Sequence, residues 1–297
     1  GHVTHHKGGS AGLYRLNTIS APVDQTGYTI DIDALRKLAH EVKPKLITVG
    51  GSLNLFHHPI AQVRAIADEV GAKVLFDAAH LCGMIAGKVW PQPLVEGAHL
   101  MTFSTYKSLG GPAGGLIVTN DDEIAQKLDA IAYPGLTANF DAAKTAALGI
   151  TLQDWKSVGR DYAQMMVKTS QALAQQLQNL GVNIFAADKG FTTSHQFAIL
   201  AAPYGGGQTA ARRMGEAGLL ACGIGLPIEQ VEGDLNGLRI GTPEIVRIGM
   251  KVEHMQDLAG FIARSLDASV EPKSIQRDIT EWRKQFSGVH YTVDLPN

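Results

Sequence analysis

Hydrophobic positions in the first half of the chain alternate between helical and strand-like spacing. Apolar residues recur every three or four positions from Ile32 to Val42, with Asp31 placed to cap this helix and Pro44 to close it. A second helical period opens at Pro59 and ends at Gly71. Short apolar runs interpreted as buried strands cover residues 46–49, 73–76, 99–103 and 116–119.

The first three of these strands recur at about the spacing of a strand–helix–strand unit. Such repetition predicts an α/β fold with a mainly parallel sheet and helices on both of its faces. The spacing indicates an architecture only and carries no information on chemistry.

The second half of the chain has a different pattern. A long amphipathic helix is predicted over residues 161–180, with Gly181 as the residue that ends it. Shorter elements follow, a strand at 196–200, a helix at 208–217, a strand at 237–241 and a last helix whose apolar face carries Ile275, Ile279, Trp282 and Phe286. We therefore expect a large domain over 1–160, a connecting helix over 161–185 and a smaller α+β domain over 186–297.

Composition restricts the class of protein. The net charge of the 297 residues is −2, which provides no general field for nucleic acid or an anionic membrane. Cys82 and Cys222 belong to no C-x-x-C pair, so neither a disulfide framework nor a zinc site is expected. No apolar run approaches the length of a membrane span, and a reduced, cytoplasmic setting is the expectation.

The first residues of the chain also carry information. His2, His5 and His6 could be read as metal ligands, but no acidic or cysteine partner follows at ligand spacing, and no metal is expected. The chain has no initiator methionine and its first methionine is Met84, so we expect that an N-terminal part is missing.

Lys107 lies in a segment, residues 104–115, where a strand ends in hydroxyl residues and the chain then turns through glycines. Open α/β sheets bind ligands at the carboxyl ends of their strands. A lysine whose amine is partly neutral can form a Schiff base with a carbonyl, so Lys107 is a candidate anchor for an aldehyde cofactor. The alternative is an exposed lysine in a glycine turn.

Asp77 and His80 follow the neighbouring strand. A carboxylate at Asp77 could pair with a protonated pyridine nitrogen, the arrangement that makes pyridoxal phosphate an electron sink. His80 could contact the cofactor ring or act as an acid or base. A helix cap at Asp77 and a structural histidine at His80 are the alternatives.

Other polar residues at strand ends complete the candidate site. Ser52 follows two glycines, and its hydroxyl and backbone amides could hold a phosphate, as could the hydroxyls of Ser104 and Thr105. Arg239, flanked by glycines in a short strand, is suited to binding a substrate carboxylate through two hydrogen bonds. An ordinary turn at Ser52 and a structural ion pair at Arg239 remain open.

These segments resemble the serine hydroxymethyltransferase family, which are fold-type-I pyridoxal-phosphate enzymes. Residues 105–115 are similar to the family pattern T-H-K-T-x-x-G-P-x-G-G, 77–83 match D-x-A-H-x-x-G, and 238–243 match L-R-I-G-T-P. Residues 1–5 look like G-H-L-T-H, and 43–47 with 50–52 look like K-P-K-L-I followed by G-G-S. The matches run in family order from residue 1 to about 250.

The resemblance implies a role for each candidate residue. It implies Lys107 as the Schiff-base lysine, Asp77 as the partner of the pyridine nitrogen, His2 stacked on the ring, His80 beside the ring hydroxyl, Ser52 and Ser104 near the phosphate, and Arg239 on the substrate carboxylate. The resemblance also implies a homodimer. The expectation that tetrahydrofolate is a co-substrate rests on this resemblance alone.

Several positions depart from the family pattern. Tyr106 replaces the histidine that usually precedes the lysine, Gly110 and Ala113 replace longer or basic side chains, and residues 134–140 replace P-G-x-Q-G-G-P. The family's N-terminal part, with its serine-rich phosphate loop and one-carbon-transfer residues, has no counterpart in the chain.

The expected function is cleavage or formation of the Cα–Cβ bond of a β-hydroxy-α-amino acid, of the serine hydroxymethyltransferase type. The alternatives are an α-methylserine hydroxymethyltransferase, a folate-independent threonine-type aldolase, and a homologue that binds pyridoxal phosphate without turnover.

Overall fold

The computed structural model describes residue 2 and residues 5–293. Of the G-H-V-T-H segment, positions 1, 3 and 4 lie outside the described residues. The chain divides into two compact units, the first formed by residues 1–24 and 29–159 and the second by residues 25–28 and 160–297.

The first unit is built on a four-stranded sheet. Its helices and strands in chain order are α1 (Ser10–Leu13), β1 (Val23–Asp24), β2 (Thr29–Ile30), α2 (Ile32–Val42), β3 (Leu46–Gly50), α3 (Ile60–Val70), β4 (Lys73–Asp77), α4 (Cys82–Ala86), β5 (Leu100–Ser104), β6 (Gly115–Thr119) and α5 (Asp122–Ala130). The sheet order is β3-β4-β5-β6, and β1 pairs with β2 in a separate hairpin.

Strands β3, β4 and β5 are parallel, whereas β6 runs antiparallel to β5. A parallel neighbour requires a crossover of a dozen or more residues, and only ten residues separate β5 from β6. The α/β class and the mainly parallel sheet expected from the spacing are confirmed.

The predicted helices of this unit form where their capping residues place them. The Asp31 carboxylate accepts a hydrogen bond from the backbone N–H of Ala34 at 3.0 Å and so caps α2. Gly71 ends α3 in the left-handed conformation, with a φ of 72°. Helix α3 buries the apolar face that its sequence period predicts, which is formed by Ile60, Val63, Ile66 and Ala67.

Helix α6 (Ala142–Asn179) is much longer than the helix predicted over 161–180. Gly149 and Gly159 each reduce helix propensity by about 1 kcal/mol, and the predicted helix begins only after both of them. Tertiary packing overrides this propensity, because Trp155 and Tyr162 on the same helix are both buried. The boundary between the two units falls within α6, at residues 159 and 160.

The second unit contains a three-stranded antiparallel sheet. Its elements are α7 (Gly207–Glu216), α8 (Pro243–Arg247), α9 (Met255–Leu266), α10 (Pro272–Arg283), β7 (Gln196–Leu200), β8 (Cys222–Ile224) and β9 (Gly237–Gly241). Strand β9 lies between the other two. One face of the sheet contributes Phe197, Ile199, Leu238 and Ile240 to the hydrophobic core.

The predictions for β7, β9 and α7 are confirmed to within one residue. Strand β8 was not predicted, because its three residues, Cys222–Ile224, are too few to show an alternating pattern. Helix α10 ends at Arg283, so the buried Phe286 lies just beyond the helix to which it was assigned. Within residues 2 and 5–293, no helix combines the length and the apolarity needed to span a membrane.

Candidate active site

The segment that carries Lys107 is a closed loop between β5 and β6. The Thr105 N–H donates to the Gly114 carbonyl at 3.1 Å, and the Gly111 N–H donates back to the Thr105 carbonyl at 2.8 Å. The Thr105 hydroxyl donates to the Pro112 carbonyl at 2.6 Å, so its proton is used inside the loop. Gly110 has a φ of 70°, a conformation that favours glycine. The loop therefore holds Lys107 on a framework of its own hydrogen bonds.

Lys107 contacts His80, which follows β4. The Lys107 Nζ lies 3.2 Å from the His80 Nε2, and both residues are half-buried. When the lysine is an ammonium it must donate in this contact, so the His80 Nε2 accepts and the ring proton is on Nδ1. The pair can therefore share or exchange a proton.

A buried serine joins the lysine loop to the segment around His80. The Ser108 hydroxyl donates to the His80 carbonyl at 2.7 Å and accepts from the Gly83 N–H at 2.9 Å. The Cys82 thiol lies 3.3 Å from the same hydroxyl and 3.4 Å from the Ser104 carbonyl. Burial raises the pKa of the Cys82 thiol, so it remains a neutral thiol in this contact.

Asp77, the last residue of β4, is a buried carboxylate with 5 % exposure. Its Oδ1 accepts from the Ala79 N–H at 3.0 Å, and its Oδ2 lies 3.9 Å from the His5 Nε2. Burial lowers the pKa of His5, although the Asp77 charge opposes this effect. The His5 Nδ1 is buried without a hydrogen-bond partner. A carboxylate in this setting is suited to holding a protonated ring nitrogen.

The turn after β3 lies beside Asp77. Gly50 pairs with Asp77 in the sheet, and a Cβ atom at Gly50 would lie 2.4 Å from the Asp77 carbonyl oxygen. Gly50 also has a φ of 91°, so this position requires glycine twice over. Ser52 is half-buried two residues later, and Ser104 is half-buried at the end of β5. The candidate phosphate residues are thus at the carboxyl ends of β3 and β5.

His2 is half-buried, and its carbonyl accepts from the His5 N–H at 2.8 Å. Tyr106 is 54 % exposed, with its ring centroid 6.0 Å from the Lys107 Nζ.

No group of three or more His, Cys, Asp or Glu side chains that could bind a metal occurs in the described part of the chain.

Arg239 belongs to the second unit, at the centre of β9. It pairs with Ala198 and Cys222, so its side chain lies on the face of the sheet opposite the core residue Leu238. The buried His195 is close enough for the Arg239 charge to act on it. Burial, and secondarily this charge, lowers the pKa of His195 to about 3, so His195 is neutral at physiological pH.

Lys107, His80 and Asp77 are recognisable from the sequence, whereas the residues that hold them are not. From the sequence, His5 was a possible metal ligand and part of the G-H-L-T-H match, and Ser108 was part of a motif; neither was assigned a role in holding the site. The position of Ser108 directly after the lysine could have indicated a loop anchor. No signal in the sequence indicated that His5 lies beside Asp77, because 72 positions separate them.

The chain is similar to known proteins over nearly its full length. The family model described as serine hydroxymethyltransferase matches residues 1–262. An alpha-methylserine aldolase from Variovorax paradoxus is 61 % identical over 293 residues, covering 99 % of this chain and 66 % of the relative. One from Ralstonia sp is 57 % identical, with coverages of 98 % and 66 %. A serine hydroxymethyltransferase from Sulfolobus acidocaldarius is 39 % identical, with coverages of 99 % and 69 %.

A solved structure shares the fold. The L-threonine transaldolase from Pseudomonas fluorescens, in its internal aldimine state, superposes with a TM-score of 0.85 at 24 % identity, covering 95 % of this chain and 65 % of that protein. The chain thus spans about two thirds of the length of these proteins.

Proposed function

Since this chain belongs to the serine hydroxymethyltransferase family, we propose that it breaks and forms the Cα–Cβ bond of a β-hydroxy-α-amino acid with pyridoxal phosphate as cofactor. The observation that carries the proposal is the contact of the Lys107 Nζ with the His80 Nε2 at 3.2 Å. Lys107 follows β5, and His80 follows the neighbouring strand β4, whose last residue is the buried Asp77. An amine, an imidazole and a carboxylate at adjacent strand ends are the groups that this chemistry requires.

The residues present fit the cofactor. Asp77 offers a buried carboxylate to a ring nitrogen, and the His5 Nδ1 is a buried polar atom without a partner in the structure. Gly50 allows the turn after β3 to lie directly against the Asp77 backbone, because a Cβ atom there would lie 2.4 Å from the Asp77 carbonyl oxygen. We propose that Lys107 holds the aldehyde, Asp77 the ring nitrogen, His2 and His80 the ring, and Ser52 and Ser104 the phosphate.

Pyridoxal phosphate, when bound, supplies a conjugated ring that stabilises negative charge on the substrate α-carbon. The chain's own residues would do the rest. The buried Asp77 carboxylate would favour the protonated form of a neighbouring ring nitrogen. His80 can accept a proton at Nε2 from Lys107 or return one to it, because the two atoms are within hydrogen-bond distance.

We propose α-methylserine as the substrate. Cleavage of its Cα–Cβ bond releases the hydroxymethyl group as formaldehyde, and a proton added to the α-carbon gives alanine, so atoms and electrons balance without another reactant. The proposal is supported by the 57–61 % identity to the two alpha-methylserine aldolases, against 39 % to the serine hydroxymethyltransferase. A second candidate, transfer of the one-carbon unit to tetrahydrofolate, is favoured by the family model.

Three further assignments belong to this proposal. Arg239 would bind the substrate carboxylate through two parallel hydrogen bonds. Residues 1–160 would form the cofactor-binding domain, with 161–185 as a connecting helix and 186–297 as the small domain. A homodimer is supported by exposed apolar side chains at Ile131, Tyr133, Leu136 and Phe140, which are 51–85 % exposed.

The test compares the wild-type protein with Lys107→Ala and a control, Lys45→Ala, in which another lysine of the first unit, an exposed one, is removed. Wild type and Lys45→Ala should gain visible absorbance when pyridoxal phosphate is added, and borohydride should attach this cofactor covalently to the protein. Both proteins should also release formaldehyde and alanine from α-methylserine without tetrahydrofolate. Lys107→Ala should lose the fixable cofactor and at least about a thousandfold in rate, as removal of a covalent catalyst does.

Serine, threonine and α-methylserine assayed with and without tetrahydrofolate separate the candidates. Turnover of serine only in the presence of tetrahydrofolate, with α-methylserine inert, would favour the second candidate. A wild-type protein that takes up no pyridoxal phosphate would refute both.

A further inference from the structure

A short hydrogen-bonded relay lies beneath the turn that follows β3. The Asn54 side chain is fully buried, and its Nδ2 donates to the Gly51 carbonyl at 2.8 Å. The His58 Nε2 lies 3.0 Å from the Asn54 Oδ1, and His58 is 8 % exposed. None of the roles proposed above uses either side chain.

The relay has only one possible direction. Since Asn54 donates to a carbonyl with its nitrogen, the atom that faces His58 is its oxygen, which can only accept. The His58 Nε2 must therefore carry the ring proton and donate it. Its Nδ1 is buried without a hydrogen-bond partner, so the Asn54 contact alone fixes the tautomer.

The relay rests on rigid elements. His58 immediately precedes Pro59, at the start of α3, and its ring packs edge-on against Phe76 of β4 at 6.0 Å between centroids. Phe76 is fully buried and directly precedes Asp77. His58 therefore connects the base of the turn to the strand that carries the candidate ring-binding carboxylate.

Holding the Gly51 carbonyl also orients the next amide. The only cis peptide bond in the described residues precedes Pro134, so the bond between Gly51 and Ser52 is trans. In a trans peptide the C=O and the following N–H point in opposite directions. With the Gly51 oxygen held by the buried Asn54, the Ser52 N–H is directed away from this interior side.

We propose that His58, acting through Asn54, is a positioning residue that presents the Ser52 N–H to an anionic oxygen of the bound cofactor. This inference rests on the proposed function for the identity of the ligand. The oxygen belongs either to the phosphate or to the ring hydroxyl, and both would accept the same hydrogen bond.

The test uses two substitutions of the same ring. His58→Phe keeps a flat ring but removes the donor, whereas His58→Gln keeps an N–H near the position of Nε2. Affinity is measured by titrating each protein with pyridoxal phosphate and with pyridoxal, following visible absorbance. We expect His58→Phe to bind pyridoxal phosphate about tenfold more weakly, since one hydrogen bond is lost, and His58→Gln to bind nearly as well as wild type.

The two ligands identify the oxygen. A loss in His58→Phe confined to pyridoxal phosphate assigns the Ser52 amide to the phosphate, and an equal loss for both ligands assigns it to the ring oxygen. Equal affinities for all three proteins, or equal losses in both variants, would overturn the relay.

Hydrogen exchange in the unliganded proteins provides a readout that needs no cofactor. His58→Phe should accelerate amide exchange in residues 51–54 relative to β4, while His58→Gln should not. If wild type takes up no pyridoxal phosphate, the proposed function fails but the relay is still judged by this exchange pattern. Unchanged exchange in His58→Phe would overturn it.

Discussion

Gly83 is a position where the close packing of the candidate site depends on the absence of a side chain. A Cβ atom there would lie 2.5 Å from the Ser108 carbonyl oxygen and 2.9 Å from the Trp155 ring, distances that real side chains do not adopt. Gly83 also donates its N–H to the Ser108 hydroxyl. The residue that follows Lys107 therefore approaches α4 closely only because position 83 has no side chain.

Gly83→Ala should therefore displace the lysine loop and lower the free energy of unfolding by about 1–3 kcal/mol, as overpacking does. The matched control is Gly149→Ala, an exposed position in α6 with no atom within 4 Å of the added methyl group. That change should instead stabilise the protein by about 0.5–1 kcal/mol through helix propensity. Urea unfolding of both variants measures the difference, and an equal effect of the two substitutions would contradict the packing argument.

At the scale of elements, helix α6 supports the lysine loop from outside the sheet. The Trp155 Nε1 donates to the Leu109 carbonyl at 2.7 Å, and both residues are buried. Trp155 lies in the part of α6 that the sequence interpretation left out of the helix. The missed segment thus carries a direct contact to the candidate site.

Trp155→Phe keeps an aromatic ring but leaves the buried Leu109 carbonyl without this donor. The free energy of unfolding should fall by about 1–3 kcal/mol, the cost of an unsatisfied buried polar group. Trp282→Phe is the control, because the Trp282 Nε1 contacts Asp257 at an exposed site, 3.2 Å away, where water can replace it. Its effect should stay below about 1 kcal/mol. Calorimetry of both variants measures these losses. If Trp282→Phe lost more stability than Trp155→Phe, ring packing and not the hydrogen bond would determine the effect.

At the scale of the whole molecule, each unit contains one deeply buried histidine. Burial lowers the pKa of His58 in the first unit to about 4 and that of His195 in the second unit to about 3. The unfolded chain binds a proton on each ring below pH about 6.5, whereas the folded protein does not. Their contribution to stability is therefore complete above this pH and is lost as the pH falls towards the folded-state pKa values.

Acid should consequently destabilise the protein by up to roughly 1.4 kcal/mol per pH unit for each histidine between about pH 6.5 and 4. His58→Gln removes one titrating group while keeping a hydrogen-bond donor, so its urea midpoint should fall less steeply between pH 7.5 and 5 than that of wild type. Carboxylates contribute equally to both proteins and cancel in the comparison. Identical slopes would contradict a lowered pKa of His58, because they would mean that this ring takes up its proton equally in the folded and unfolded states.

The sequence by itself determined the α/β class, the strands from β3 to β6 and the candidates Lys107, Asp77, His80, Ser52, Ser104, His2 and Arg239. Except for His2, which is a candidate only through the family resemblance, these follow from local signals, because hydrophobic period, capping residues and motif spacing are all encoded over a few consecutive positions. The roles assigned to the candidate residues stay predictions.

Only the tertiary structure decided which residues hold the candidates in place. His5 beside Asp77, Ser108 against His80, Trp155 on the lysine loop and the relay from His58 to Gly51 all depend on packing between segments brought together by the sheet. Helix α6 passes through two glycines for the same reason, since burial of its aromatic residues outweighs local propensity. Contacts of this kind depend on where the chain returns in space, and no local pattern records that.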